Sequence, residues 1–336
     1  MRILQIVSSK GGVGKTTLSL GIAQQLATLQ DRKVIIVELD FIGPGIRAMT
    51  GLCPLDLECG LAEPELTLNE LLLNFPSECG GWSRALARPQ GGFDDKVHII
   101  PSWLGAQDTR AAMPHDSSAL ATEPTSDETA IREKPQKASL AYAVWHHAPF
   151  VVGQVTNLLT HLASRYDSAI LDCPPGMTFM TAVVLRAVAD SKRLQDEHSL
   201  LWVMTPHPAS IIGVYADYNS VLNEYPQLRE RSLFVVNKVP DAAASGLFDS
   251  GVPTKKLWEC WASYFQQGGV NLSIYDTQFM GLFRNLRMAK LMEGSRSIVT
   301  RPALSADKFT DIISPNLARS IADAMNARPT GRSNAR

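Results

Sequence analysis

One segment near the start of the chain restricts its possible folds more than any other: a glycine-rich loop between an apolar run and an amphipathic helix. Residues 10–17 read Lys-Gly-Gly-Val-Gly-Lys-Thr-Thr, between the apolar run 3–7 and residues 18–29, whose apolar side chains recur at helical spacing. Glycines let the backbone curl so that its N–H groups point at phosphate oxygens, and a helix N-terminus favours the same anion. The segment therefore predicts a strand, a phosphate-binding loop and a helix in succession.

The polar side chains of this loop suit a nucleotide that is bound together with Mg²⁺. Lys15 can reach the β- and γ-phosphates of a nucleotide, and the Thr16 hydroxyl can ligate the metal. The predicted nucleotide-binding residues of the loop are Gly11, Gly12, Val13, Gly14, Lys15, Thr16 and Thr17.

The rest of the chain repeats this alternation of strand and helix. A second apolar run, 34–39, completes a βαβ unit, and continuous apolar runs are typical of a parallel sheet that is buried on both faces. Further strands are predicted at 97–100, 168–172, 200–205 and 233–237, and helices at 68–74, 158–166, 181–189, 211–222, 254–267, 280–292 and 316–326. We therefore expect an α/β fold with a doubly wound, mostly parallel central sheet flanked by helices.

The composition is that of a folded chain, apart from one stretch. Hydrophobic residues make up 45% of the 336 residues and charged residues 19%, which excludes general disorder. Residues 105–138 contain three prolines and few large apolar side chains, and we interpret them as a mobile insertion. We expect a single domain over residues 1–327 and a flexible basic tail at 328–336.

Two aspartates follow predicted strands. Asp40 comes directly after the run 34–39, and Asp172 ends the run 168–172. In an open α/β sheet, the carboxyl ends of the strands face the ligand crevice. There the Asp40 carboxylate could orient an attacking water or hold a metal-bound water.

The order of residues 10–17 resembles the deviant Walker A motif of the ParA/MinD/Mrp-type ATPases, which are P-loop proteins of the SIMIBI class. In that family the first lysine, here Lys10, crosses a dimer interface and contacts the nucleotide of the other subunit. Asp40 matches the catalytic aspartate of the family, whereas Glu38 replaces a family aspartate and its role stays open. The resemblance implies that Lys10, Lys15 and Asp40 are the catalytic residues.

The resemblance continues at two later strand ends. Residues 172–176, Asp-Cys-Pro-Pro-Gly, resemble the Walker B and switch II segment of the family. This implies that Asp172 holds Mg²⁺ through water and that the Gly176 N–H approaches the γ-phosphate. Asn237 matches the asparagine that contacts the base, and Pro240 stands where a guanine reader needs a carboxylate. We therefore expect ATP rather than GTP.

The resemblance implies a Mg·ATP-dependent ATPase that dimerises on binding ATP and positions, assembles or regulates an unidentified protein partner. One alternative is a metal or iron–sulfur cluster carrier of the Mrp type, a branch to which Gly43-Pro44 points. That branch usually presents a CxxC pair in its C-terminal half, whereas here only Cys260 follows Cys173. A small-molecule kinase or synthetase on the same fold is the other alternative, and such an enzyme would not need Lys10.

The sequence also bears on location and on further partners. Five cysteines without a CxxC pair favour a reducing, cytoplasmic setting, and no apolar run approaches the ~18 residues of a membrane span. The helix 316–326 has few bulky anchors, so we expect it to pack on the protein rather than on a membrane. A loose basic stretch leaves a non-specific DNA contact open, through Arg284, Arg287, Lys290, Arg296 and Arg301.

Overall fold

The computed structural model of the chain describes eight ranges of residues: 1–41, 45–55, 66–73, 81–102, 148–205, 208–237, 286–288 and 315–326. The predicted insertion at 105–138, the predicted helix at 254–267 and the predicted tail at 328–336 lie outside these ranges. Gly43-Pro44 and Pro240 also lie outside them.

A nine-stranded sheet forms the centre of the described structure, in the order β3-β4-β5-β2-β6-β1-β7-β8-β9. The strands are β1 (Arg2–Val7), β2 (Val34–Glu38), β3 (Leu52–Pro54), β4 (Ala87–Pro89), β5 (Val97–Ile100), β6 (Ser168–Asp172), β7 (His198–Met204), β8 (Ser232–Val236) and β9 (Leu286–Met288). The seven strands from β5 to β9 in this order pair in parallel. At the other edge, β4 pairs antiparallel with both β3 and β5.

Helices cover both faces of this sheet. They are α1 (Lys15–Gln30), α2 (Ile46–Thr50), α3 (Leu68–Leu73), α4 (Ala148–Leu162), α5 (Phe179–Ala189), α6 (Lys192–Gln195), α7 (Pro208–Glu224) and α8 (Pro315–Asn326). Successive strand residues point to opposite faces. Accordingly, Ile3 and Ile35 share one apolar core with α4, α5 and α7, whereas Leu4 and Ile36 share a second core with α1 and α8. The predicted doubly wound α/β fold is confirmed.

The prediction of a helix at 280–292 is wrong at its centre. Leu286–Met288 forms strand β9, which pairs in parallel with β8, with Leu286 opposite Phe234. Three residues of apolar, charged and apolar character fit a helical and a strand periodicity equally well. The open edge of β8 decides between them, because β9 satisfies backbone groups there that would otherwise lack partners.

The C-terminal helix α8 packs on the protein core. Its buried side chains Ala318, Ile321, Ala322 and Met325 lie in the same core as α1. This confirms the expectation that the apolar face of the helix is used within the fold. Within the described ranges, every helix is too short or too polar to cross a membrane.

A buried polar network connects β1 with α5 and β7. Gln5 donates through its side-chain amide to the Thr181 carbonyl at 3.2 Å, and its Oε1 lies 2.9 Å from Nε2 of His198. Because an amide oxygen can only accept, Nε2 of His198 holds the proton. His198 is only 2% exposed, and burial, with a smaller contribution from Arg231, lowers its pKa to about 3.

This lowered pKa predicts a pH-dependent stability. The pKa of His198 is depressed on folding, so its stabilising contribution is complete above pH 6.5 and is lost as the pH falls toward 3. From about pH 7.5 to about pH 5.5, the wild type should lose about 1.4 kcal/mol more unfolding free energy than His198→Gln, which keeps a donor for Gln5. Urea titrations of both proteins measure the difference, in which all other titrating groups cancel. An equal loss of unfolding free energy between these two pH values in both proteins would contradict this expectation.

Candidate functional site

The predicted site residues meet at one edge of the sheet, where the parallel strands have their carboxyl ends. The phosphate loop follows β1, and Asp40 lies two residues beyond β2. Asp172 is the last residue of β6, and Asn237 follows β8 directly. Since these strands run parallel in one sheet, the four segments form a single crevice of the kind in which α/β proteins bind ligands.

The backbone of the phosphate loop has the curvature that the glycines predict. Gly12 has a φ of 72° and Gly14 a φ of 94°, both in the left-handed region that favours glycine. Gly14 directly precedes α1, which begins at Lys15 and therefore turns its first N–H groups toward the loop. Val13 is buried within the loop, and Thr17 is half-buried in the first helical turn. This arrangement can bind an anion.

Lys15 is buried beneath the loop. It is 7% exposed, and its Nζ donates to Oγ of Ser8 at 3.0 Å, while that hydroxyl donates to the Lys10 carbonyl at 2.8 Å. Burial lowers the pKa of Lys15, and electrostatic interactions, of which the largest is with Asp172, oppose this shift. The lysine thus lies among acidic groups at the base of the crevice, in the position from which a P-loop lysine reaches phosphate.

Lys10, at the other end of the same loop, has the opposite environment. Its side chain is exposed, whereas that of Lys15 is buried. The backbone of Lys10 is fixed because its carbonyl accepts the Ser8 hydroxyl. The loop therefore presents one lysine to its own crevice and one to the surroundings.

Asp172 and Thr16 form a donor set that suits Mg²⁺. Asp172 is fully buried and accepts hydrogen bonds from the side chains of Thr16 and Ser19, the latter at 3.1 Å. Burial raises the pKa of Asp172 to about 7, and the nearby Glu38 also raises it. Carboxylate and hydroxyl oxygens are the hard ligands that Mg²⁺ binds, usually with several waters. These residues fit the metal that a P-loop protein binds with its nucleotide.

Asp40 lies at the half-buried edge of this crevice. Its backbone carbonyl accepts the Ser102 hydroxyl at 3.0 Å, and its charge acts on Lys15. The preceding residue, Leu39, donates its N–H to the Asp172 carbonyl at 2.9 Å. The backbone on both sides of the Asp40 α-carbon is therefore hydrogen-bonded to neighbouring segments.

Glu38, whose role the sequence left open, is buried opposite Asp172 on the adjacent strand. One carboxylate oxygen accepts the N–H groups of Gly45 and Ile46, at 2.7 and 2.9 Å. The other accepts the Ser102 N–H at 3.0 Å. Burial raises the pKa of Glu38, and these hydrogen bonds oppose the shift.

Gly176 joins the segment after β6 to the phosphate loop. Its N–H, which the resemblance directs toward a γ-phosphate, here donates to the Ser8 carbonyl at 2.6 Å. Its φ of 81° requires glycine. The two loops are thus in direct contact, and the Gly176 N–H binds a backbone carbonyl in this structure, unlike the phosphate contact that the resemblance implies.

Asn237 is fully buried and contacts the phosphate loop. Its Nδ2 donates to the Val13 carbonyl at 2.7 Å, and its backbone N–H donates to the Met204 carbonyl. Its Oδ1 has no hydrogen-bond partner among the residues that the structure describes. A buried amide oxygen without a partner is costly, and an amino group of a bound base could satisfy it.

Helix α7 contributes residues that sequence analysis did not identify. Ser9 donates its hydroxyl to the Ser210 carbonyl at 3.2 Å, and Ser210 in turn accepts the Thr205 N–H. A Cβ added at Gly213 would lie 2.6 Å from Oγ and 2.7 Å from Cβ of Ser9. Only glycine therefore allows α7 to approach the phosphate loop so closely. In the sequence, this close approach is indicated only by a glycine within a predicted amphipathic helix.

Clusters of metal-ligating side chains are absent from the described part of the chain. It has no group of three or more His, Cys, Asp or Glu residues placed to share an ion. Cys173 lies next to the site but is buried, and burial raises the pKa of its thiol to about 12.

Comparison with known proteins agrees with this geometry. The family model described as "ParA: NUBPL iron-transfer P-loop NTPase" matches residues 1–63, which include the phosphate loop and Asp40. The virulence plasmid ParA family protein pGP5-D of Chlamydia psittaci is 27% identical over 215 residues, which are 64% of this chain and 61% of that protein. An iron-sulfur cluster carrier protein of Rickettsia bellii is 47% identical over 51 residues, 15% of this chain and 16% of that protein. Each match spans less than two thirds of the relative's length.

The fold has a counterpart among solved structures. The cell division ATPase MinD of Pyrococcus furiosus superposes with a TM-score of 0.53 at 17% identity, over 97% of this chain and 98% of that one. At this identity the likeness establishes the fold, and it covers nearly the whole of both chains.

Proposed function

We propose that this chain, which has the phosphate loop and the fold of the ParA/MinD-type P-loop ATPases, is an ATP-dependent dimerising switch. It binds Mg·ATP, pairs face to face with a second copy around two nucleotides, and hydrolyses ATP slowly. One observation supports this most directly: a single loop holds Lys15 buried beside Asp172 and holds Lys10 exposed. The exposed lysine is where a residue that acts on a partner's nucleotide must be.

Nucleotide binding uses groups that the fold places in one crevice. The backbone N–H groups of the loop and the Lys15 ammonium bind the phosphates. Thr16 and Asp172 hold Mg²⁺, the latter through water, and the metal neutralises charge on the phosphates. Burial lowers the pKa of Lys15, and the nearby Asp172 and Asp40 oppose this shift, so these carboxylates favour the cationic form that binds phosphate.

Hydrolysis needs two further groups. Asp40 orients the attacking water, and Lys10 of the second copy stabilises the charge that develops on the transferring phosphoryl group. Because each site is complete only in the dimer, assembly and hydrolysis are coupled. The dimer is therefore the active state of the switch, and it persists until the bound ATP is hydrolysed.

The base is adenine. Asn237 supports this, because its buried Oδ1 can accept a hydrogen bond from the amino group of adenine while its Nδ2 continues to donate to the Val13 carbonyl. We expect Mg·ATP to bind at least about 30-fold more tightly than Mg·GTP, since a mismatched base leaves buried polar groups unpaired at a cost of about 2 kcal/mol. Isothermal titration with both nucleotides measures the ratio. Equal or tighter binding of GTP would refute the assignment of Asn237.

Size-exclusion chromatography with light scattering tests the switch as a whole. The wild type should be monomeric without nucleotide and dimeric with a non-hydrolysable ATP analogue, and phosphate release should depend on protein concentration. A monomer that ATP leaves unchanged would refute the proposal.

In the cell, the dimer would act in the cytoplasm by positioning, assembling or regulating a protein partner. Non-specific DNA is a candidate support for the dimer, as suits a relative of plasmid ParA proteins.

An iron–sulfur carrier is the second candidate, because the matching family model is described as iron-transfer and one match is an iron-sulfur cluster carrier. The family model matches residues 1–63, which contain the phosphate loop, and the carrier match covers 15% of the chain, so neither bears on a cluster site elsewhere in it. Anaerobic purification followed by iron and sulfide analysis separates the two. Stoichiometric iron would favour the carrier, and its absence after reconstitution would favour the switch.

A further inference from the structure

The segment that carries Asp40 is fixed at both ends by one carboxylate. Glu38 ends β2, and its Oε1 accepts the N–H groups of Gly45 and Ile46, where α2 begins. The Glu38 side chain, from the last residue of β2, therefore closes the connection to α2 at its two ends. Asp40 lies within this closed connection, two residues after Glu38.

Ser102 fixes the same segment from a different strand. It lies two residues beyond β5, is fully buried, and donates its N–H to Oε2 of Glu38 at 3.0 Å. Its hydroxyl donates to the Asp40 carbonyl, also at 3.0 Å. We name this set of contacts among Glu38, Ser102, Gly45, Ile46 and the Asp40 carbonyl the Glu38–Ser102 clamp.

The clamp also places α2 against the predicted metal ligand. A Cβ added at Gly45 would lie 3.6 Å from both Oγ1 and Cγ2 of Thr16. The Glu38 carboxylate, which binds the Gly45 N–H, thus holds the backbone of Gly45 beside Thr16. The end of β2, the start of α2 and the segment after β5 are thus joined through the side chain of Glu38.

The chemistry of Glu38 explains why this position is not an aspartate here. A carboxylate buried beside Asp172 is costly unless hydrogen bonds satisfy it, and the clamp supplies them on both oxygens. Glutamate is one methylene longer than aspartate. From the end of β2, its greater length lets it reach α2 and the residue after β5 together.

We propose that Glu38 and Ser102 are positioning residues that hold Asp40 for hydrolysis without contacting the nucleotide. This inference rests on the proposed ATPase function. Displacement of a catalytic group by about 1 Å can lower a rate up to about 100-fold, so loss of one clamp contact should reduce kcat and spare binding.

Ser102→Ala tests this proposal with a minimal change. It removes the hydroxyl, which binds the Asp40 carbonyl and also interacts with Glu38, and it keeps the N–H that binds Glu38. We expect kcat to fall about 10-fold, with KM for ATP changed by less than about twofold. In an Asp40→Ala background, the same change should lower the residual rate by less than about twofold, because Ser102 acts through Asp40.

Ser232→Ala is the matched control. Ser232 is also a fully buried serine with two side-chain hydrogen bonds, to the Leu228 carbonyl and from Trp202, but it begins β8 at the opposite end of the sheet. Its variant should lose comparable stability and keep kcat. Equal losses of kcat in both variants, or a loss from Ser102→Ala that persists in the Asp40→Ala background, would overturn the positioning role.

Glu38→Asp tests the clamp independently of catalysis. Hydrogen exchange should show the Gly45 and Ile46 amides exchanging at least about 10-fold faster in this variant than in the wild type, with kcat lowered as well. Unchanged exchange would overturn the clamp. A wild type that does not hydrolyse ATP would instead refute the proposed function, whereas an active wild type with an unaffected Ser102→Ala variant would refute only the positioning role.

Discussion

Lys10→Ala is expected to lower kcat for ATP hydrolysis by about 1,000-fold while changing the dissociation constant of ATP by less than about threefold. Lys10 is exposed whereas Lys15 is buried, so the loss of the Lys10 side chain leaves the buried phosphate-binding lysine of the same chain in place. What is removed is a cation at the transferring phosphoryl group of the other copy. Phosphate release and nucleotide titration measure the two quantities.

Two controls accompany this variant. Lys15→Ala should impair binding and hydrolysis together, because Lys15 belongs to the crevice itself. Lys192→Ala, which removes another exposed lysine at the start of α6, should change neither. A Lys10→Ala protein with wild-type kcat would exclude a catalytic role for Lys10.

A mixing experiment tests whether Lys10 acts on the other copy. When Lys10→Ala and Asp40→Ala proteins are combined, half of the randomly formed dimers are mixed, and one of their two sites has both Asp40 and a partner lysine. Activity should therefore recover to about a quarter of the wild-type value. If Lys10 instead served its own site, every site in the mixture would be defective and activity would stay at the level of the separate variants.

Asp40→Ala is expected to lower kcat by about 100- to 10,000-fold and to leave ATP binding intact or slightly tighter. The carboxylate orients water after the dimer has formed, so the variant should bind ATP and dimerise without hydrolysing the nucleotide. Removing a negative charge near Lys15 also favours the phosphates electrostatically.

The diagnostic result is the oligomeric state of Asp40→Ala with ATP. The variant should accumulate as a dimer with unhydrolysed ATP, whereas the wild type returns to monomer as ATP is consumed. Asp95→Ala removes an exposed carboxylate just before β5, at the far end of the sheet, and should behave as wild type. Rapid hydrolysis by the Asp40→Ala dimer would show that another group orients the water.

Much of the fold could be read from the sequence because the necessary information is local. The strands at Ser168–Asp172 and Val97–Ile100 have the predicted bounds, since each is a short apolar run that ends at a polar or turn-forming residue. Several helices were predicted in the right place with a start that is too late, whereas α2 and α6 were not predicted and the helix at 280–292 was wrong. Ala148–Leu162 begins ten residues before its predicted start at 158, because its first turns lack a clear cap and a regular apolar spacing.

The phosphate loop and the residues at strand ends were also identified from sequence. Glycine positions with positive φ, a lysine and a threonine at the start of a helix, and carboxylates after apolar runs each depend on a few neighbouring residues. Their common position then follows from one rule, that parallel strands bring their carboxyl ends to the same edge. The structure places Lys15, Asp172 and Asn237 together at that edge, as the sequence predicts.

The tertiary structure alone decided which side chains support these groups. Glu38 and Ser102 are 64 residues apart, and Ser9 and Ser210 are 201 apart, so no local pattern relates them. Edge strand β9 likewise exists because β8 offers unpaired backbone groups, although its own three residues are ambiguous. Local sequence determined the loop and the alternation of elements because glycine conformation and apolar periodicity are properties of adjacent residues. Long-range packing determined the clamp, the contact of α7 with the loop and the last strand, because each depends on which surfaces the completed sheet brings within hydrogen-bonding distance.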